Sequence, residues 1–215
     1  QLDPVGPAIM VALFSVATVY LIYLVGKKFF DTAAGLFAAG LYAVSPLVIN
    51  YSHSSWNPNV LPFFALLLVY TIYSAKDAEH PWKYYLFGGF ILGIAMQLHY
   101  LALFLAVIIA IYMFISGWMK EKGIRVVLLL KQYGQVLLGF LIGFSPFLAF
   151  EVRHGFPNIK SIFEFIFGTN LQNDYTGGQS SYSDIVADVF FRIFARLIFD
   201  YPTPDRVVAI PEFAL

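Results

Sequence analysis

Residues 26–70 read GKKFFDTAAGLFAAGLYAVSPLVINYSHSSWNPNVLPFFALLLVY. In order, the stretch holds a basic turn, an apolar run, a polar loop with no lysine, arginine or carboxylate, and a second apolar run. A bilayer explains this alternation. Its hydrocarbon core leaves backbone polar groups no water to bond, so a crossing segment must be a helix or part of a closed barrel, and a helix needs roughly 20 mostly apolar residues. The stretch therefore predicts two membrane helices joined on one side by the polar loop and entered from the other side through the basic turn.

The rest of the chain repeats the pattern. Its 215 residues are 60% hydrophobic and 12% charged, where soluble domains run at about 45–50% and 25%. Lipid can cover the excess apolar surface. Spans are predicted at about 5–25, 32–49, 59–75, 84–97, 101–117 and 133–150. Residues 84–118 are apolar throughout except for Gln97-Leu98-His99-Tyr100 at the middle. A single helix of that length would reach about 52 Å, against a hydrocarbon core of about 30 Å, so two helices and a tight turn are expected. The fold class is all-α: a polytopic transmembrane helical bundle of about six spans occupying residues 1–151. Residues 152–215 are expected to form an extracytoplasmic loop, polar from 151 to 183, then an amphipathic interfacial helix at about 184–200. There Asp184, Asp188, Arg192, Arg196 and Asp200 recur every four residues among Ile, Val, Phe and Leu.

Charge sets the orientation. The turns assigned to one side hold Lys27, Lys28, Lys76, Lys83, Lys120, Lys122, Arg125 and Lys131, while the loop at 50–58 and the turn at His99 hold no lysine or arginine. Basic loops stay cytoplasmic. The expected setting is thus the cytoplasmic membrane, with residues 50–58, His99 and everything after Glu151 on the extracytoplasmic face. The chain begins with Gln1, outside, which is the basis for expecting preceding sequence. Net charge is zero, so nucleic acid is not an expected partner. With no cysteine, disulfides, thiolate metal sites and a cysteine nucleophile are excluded.

Two Ser-Pro pairs, Ser45-Pro46 and Ser145-Pro146, lie toward the outer ends of outgoing helices. Each proline removes a backbone donor. Both pairs read either as helix-end kinks or as helices opening toward one extracytoplasmic cavity.

Two polar clusters carry candidate chemistry on that face. In the first, Trp56 and Tyr51 can cover an apolar sugar face while His53, Asn57 and Asn59 bond hydroxyls; the plain alternative is an interfacial loop with a Trp anchor. In the second, Glu151, Arg153 and His154 stand at the mouth of a membrane helix, a costly place for charge unless paired or used. The planar fork of Arg153 suits a phosphate, His154 can add charge or accept a proton, and Glu151 can orient Arg153 or act as a base. The alternative is an ion pair that snorkels to water. His99 and Tyr100 form a second tier. No metal-binding, P-loop, dinucleotide or serine-hydrolase motif is present.

Residues 26–70, with GFILGIAMQLHYLALFL and GFSPFLAFEVRHGFPN further on, resemble the GT-C membrane glycosyltransferases of the protein mannosyltransferase and lipid A aminoarabinose transferase group. The resemblance covers most of residues 5–160. It implies transfer of a sugar from a polyprenyl-phosphate donor to a glycan, lipid or protein acceptor on the extracytoplasmic face. It also implies a catalytic Asp in the loop after the first span. No counterpart is found here, and that Asp is expected upstream of Gln1. Many relatives carry an Asp before the third span's Pro, where this chain reads Asn57-Pro58-Asn59. This favours hydrogen bonding over a base or metal role, so no catalytic base and no metal ligand is assigned; a divalent metal is left open as a cofactor. The implied reaction is inverting transfer, with Arg153 and His154 stabilising the leaving lipid phosphate and His53, Trp56 and Asn57 holding sugar or acceptor. The 215-residue piece alone is expected to be inactive. A transporter or a non-catalytic scaffold for a lipid-linked substrate is the alternative, favoured respectively by a repeat of the six-span unit and by a native start at Gln1.

Overall fold

The computed structural model describes residues 5–121 and 126–167, and within these it is all helix, with no strand. Eight α-helices follow in order: α1 (Val5–Phe29), α2 (Thr32–Ala43), α3 (Pro46–Tyr51), α4 (Leu61–Ser74), α5 (Pro81–Leu98), α6 (Ala102–Glu121), α7 (Val126–His154) and α8 (Pro157–Phe167). Single 3-10 turns, Asn57–Val60 and Ala75–Asp77, extend α4 at its two ends. Among the described residues four segments are long and apolar enough to cross a membrane: Val5–Phe29, Asn57–Asp77, Ala102–Met119 and Val126–His154. The amphipathic helix expected at 184–200 lies outside the described residues.

Local sequence explains the boundaries. Lys27 and Lys28 occupy the last turn of α1, where positive charge suits the helix dipole. Asp31 then caps α2, its Oδ1 accepting the Ala34 N–H at 2.8 Å. The expected span at 32–49 is broken: α2 stops at Ala43 and α3 restarts at Pro46. Proline disfavours helical backbone in the residue before it, and Ser45 is accordingly extended (φ −64°, ψ 122°), with Pro46 opening α3.

Ser145-Pro146 behaves differently. Pro146 lies inside α7, which runs on to His154. Proline cannot donate to the carbonyl four residues back, here that of Ile142. The Ser145 hydroxyl donates to that same oxygen at 2.8 Å, so the orphaned acceptor is satisfied within the helix. This pair is therefore neither a helix end nor a break. α7 also starts at residue 126 rather than near 133, and the stretch from 151, expected as polar loop, contains the last turn of α7 and then α8.

α5 is the central helix, buried along Gly88, Gly89, Ile91, Leu92, Gly93 and Ala95. It packs on α4 and α6 through a core of Leu68, Ile72, Ile91, Leu92, Ile109 and Met113. Its closest partner is α7, and the reason is glycine. Gly89 and Gly93 on α5 face Gly139 and Gly143 on α7, a G-x-x-x-G on each helix. A Cβ on any of the four would land on a backbone carbonyl of the opposite helix: Val136 for Gly89, Phe140 for Gly93, Leu86 for Gly139 and Phe90 for Gly143. In lipid, helices associate through such close backbone contact rather than through apolar burial. Residue numbers rise together along the seam, so α5 and α7 run parallel.

The same logic orients the bundle. Phe14 meets Phe63 and Phe64, and Phe29 meets Tyr73, so α1 and α4 are also parallel. One end of the bundle therefore collects the C-termini of α1 and α4 and the N-termini of α5 and α7, with Lys27, Lys28, Lys76, Lys83 and Lys131. The other end holds α3, the turn at Asn57–Val60, the α5–α6 turn and the C-terminus of α7. Apolar side chains face outward along the sides, Val16 being 69% exposed and Val127 82%.

Candidate functional site

At the end opposite the lysines, the loop after α3 is tied down by its own side chains. Asn59 Nδ2 donates to the carbonyls of Tyr51 (3.0 Å) and Ser54 (2.9 Å). The Ser52 hydroxyl donates to the Ile49 carbonyl at 2.8 Å. Asn59 thus staples the loop, while Tyr51, His53, Trp56 and Asn57 stand exposed. Trp56 is half exposed, and Asn57 makes no side-chain hydrogen bond to a described residue.

The three histidines at this end have their ring protons placed by the backbone. His53 Nδ1 lies 3.0 Å from the Ile49 carbonyl, and His154 Nδ1 lies 2.8 Å from the Phe150 carbonyl. A carbonyl only accepts, so each contact is a hydrogen bond in the tautomer that carries the proton on Nδ1; His53 Nδ1 also lies 3.0 Å from the Ser52 hydroxyl. His99 is the reverse case. Its Nδ1 accepts the Leu101 N–H at 3.1 Å, so the proton sits on Nε2. Tyr100 stacks on His99 and is 74% exposed.

The second cluster divides in two. Glu151 is fully buried. Its Oε1 accepts the Asn158 side-chain amide at 2.6 Å and the Asn158 N–H at 3.3 Å, and its Oε2 accepts the Ile159 N–H at 3.1 Å. The carboxylate thus caps the N-terminus of α8. It makes no ion pair with Arg153, which is exposed and has no hydrogen-bond or ionic partner among the described residues. His154 is exposed and stacks on Phe150.

The two clusters share an end of the bundle, and among the described residues no hydrogen bond or ring contact joins them. The Asn57–Val60 turn packs on α1, α4 and α5. Gln97, at the outer end of α5, donates to the Gly93 carbonyl (3.1 Å) and to the Gly143 carbonyl of α7 (2.7 Å), fixing the level of the two helices. Arg153 lies ten residues beyond Gly143, about 15 Å further along α7. Gln97 and Asn158 are the residues whose structural work the sequence reading missed. The available signals were a polar side chain near the end of an apolar helix and a Gly-x-Pro-Asn helix start. No group of three or more His, Asp or Glu able to hold a metal occurs among the described residues.

A scan of family models matches residues 5–150 to the dolichyl-phosphate-mannose-protein mannosyltransferase family. The chain belongs to this family. Searches of curated proteins and of solved structures return no match. Membership indicates a membrane glycosyltransferase that depends on a lipid-linked sugar. The matched region contains the whole glycine seam and the first cluster, and it stops just before Glu151.

Proposed function

We propose that this chain carries the substrate-facing end of a glycosyltransferase that moves a sugar from a polyprenyl-phosphate donor to a glycan, lipid or protein acceptor on the extracytoplasmic face of the cytoplasmic membrane. Two further crossings, by α2 with α3 and by α5, complete six. The observation that carries the reading is the difference between the two ends: Lys27, Lys28, Lys76, Lys83 and Lys131 gather at one, while the other presents exposed Arg153, His154, His53, Trp56 and Asn57 with a single described lysine, Lys160 on α8.

An acceptor oxygen attacks the anomeric carbon of the donor sugar. The bond from that carbon to the phosphate oxygen breaks, and its electron pair stays on the lipid phosphate. Arg153 offers a planar fork of donors to that developing charge, and no carboxylate among the described residues occupies the fork. His154, on the adjoining position, adds a second polar contact. Trp56 covers a sugar face, and Asn57 and His53 bond hydroxyls. The acceptor proton leaves to a base that none of these residues is assigned to be.

The test is Arg153→Ala in the full-length enzyme, assayed with a polyprenyl-phospho-sugar. Loss of a transition-state donor of this kind costs about 10²–10³ in rate, and Arg153→Lys should recover part of it. An unchanged kcat/KM in Arg153→Ala would remove the phosphate assignment.

A further inference from the structure

A cavity lies at the lysine end of the bundle, opposite the end that carries Trp56, Arg153 and His154. The ends of α4, α5, α6 and α7 enclose a cavity of about 330 Å³. Its walls are largely apolar, from Ile72, Met113, Phe114, Leu128 and Leu129, with Trp82 and Trp118 among the aromatic residues. Its polar lining comes from Lys76, Lys131, Gln132, Gln135, Ser116, Tyr85 and Tyr112, and no Asp or Glu is among the described lining residues. Gln132 and Gln135 are half-buried and make no side-chain hydrogen bond to a described residue. Lys76 is held in place, its Nζ 3.7 Å from the centre of the Tyr73 ring.

We infer that this cavity is a binding site for an anionic phospholipid of the lysine-side leaflet. Two cations from different helices and two amides bearing N–H donors suit the oxygens of a phosphate. The apolar walls suit the glycerol and the first methylenes, which a free phosphate lacks. Basic pockets between membrane helices at the cytoplasmic surface are the expected sites for such headgroups, and Lys27, Lys28 and Lys83 add like charge at the same end. The inference uses from the proposed function only that this end reaches headgroup level. It needs no transferase activity.

Trp82 and Trp118 line the cavity, and the chain's third tryptophan, Trp56, is at the opposite end. The full-length protein is reconstituted in phosphatidylcholine nanodiscs doped with chain-brominated phosphatidylglycerol or, separately, chain-brominated phosphatidylcholine. Emission from Trp82 and Trp118 is obtained by difference against Trp82→Phe and Trp118→Phe. Brominated phosphatidylglycerol should quench this emission at several-fold lower mole fraction than brominated phosphatidylcholine, since each lysine near the surface contributes about fivefold. Lys76→Gln with Lys131→Gln should abolish the preference, while Lys76→Arg with Lys131→Arg should keep it. Size-exclusion profile and helix content check that each variant is folded. Equal quenching by the two lipids would overturn the inference. So would a preference that survives the glutamine pair, or one abolished by millimolar inorganic phosphate, which would assign the cavity to a soluble anion.

Discussion

Glu151 and Asn158 lock two helices together: the carboxylate of the last turn of α7 accepts the Asn158 side-chain amide at 2.6 Å and caps the first turn of α8. The backbone carbonyl of Glu151 closes the same turn from the other side, accepting the Phe156 N–H at 2.8 Å. That bond joins the second residue past the helix to the fourth-last residue within it, which is a Schellman ending with Gly155 at the left-handed position (φ 75°). Phe156 is left-handed too, at φ 63°, a conformation that costs a bulky side chain about 1–3 kcal/mol. Glu151 holds that turn closed, and the turn fixes the direction in which α8 leaves the end of α7 that carries Arg153 and His154.

The strain at Phe156 makes a substitution test. Phe156→Gly removes the Cβ from the left-handed position and should stabilise the junction by about 1 kcal/mol. Phe156→Val, β-branched, should destabilise it. Glu151→Ala should free α8, seen as faster limited proteolysis between residues 154 and 160 and a Tm lower by several degrees, with Asn158→Ala losing less. Equal proteolysis of Glu151→Ala and the parent protein would show that the cap does not hold the junction.

The glycine seam separates position from composition. Gly139→Ala drives a methyl into the Leu86 carbonyl and should cost at least about 1–3 kcal/mol through overpacking. Gly134→Ala, five residues earlier on the same helix, meets nothing within 4 Å and should gain up to about 1 kcal/mol from helix propensity. The two variants differ only in which face carries the added methyl. Thermal unfolding in detergent reads the difference, and the same sign for both would contradict the seam.

Ser145 and Pro146 form a cycle. Ser145→Ala should destabilise α7 by about 1 kcal/mol, because the Ile142 carbonyl loses its donor. In a Pro146→Ala background the backbone N–H of residue 146 supplies that donor, and Ser145→Ala should become nearly neutral. A coupling energy near zero in the double-mutant cycle would mean that the hydroxyl does not compensate for the proline.

These cases show where reading the sequence stops. The break in the apolar run 84–118 was legible from its length and from the polar interruption at Gln97-Leu98-His99-Tyr100, and α5 ends at Leu98 with α6 starting at Ala102. The helical class was legible because hydropathy is a one-dimensional property. Ser45-Pro46 and Ser145-Pro146 were not separable, because the outcome depends on whether the orphaned carbonyl finds a donor in three dimensions. Glu151 read as a group free to orient Arg153 because its capping donors lie seven and eight residues on, past a turn that Gly155 and Pro157 signal without stating which side chain it folds back onto. The glycine pairs at 89, 93, 139 and 143 were visible as a spacing, but which spacings face each other is a property of packing. The lysine-end cavity drew no notice because its lining comes from four helices.

Orientation is the prediction on which the proposed chemistry depends. The chain contains no cysteine, so a single introduced thiol can be read within it against no background. Ser55→Cys, in the exposed loop beside Trp56, should react with a membrane-impermeant maleimide added to the extracytoplasmic side of intact cells. Glu79→Cys, in the turn between α4 and α5, should react only after the membrane is opened. Both sites are exposed in the structure, so a failure to label reports the membrane rather than burial. Labelling of Glu79→Cys in intact cells together with protection of Ser55→Cys would invert the bundle. It would put Arg153 and His154 on the side of the cytoplasm, and the proposed donor phosphate could not be met where the reaction was assigned.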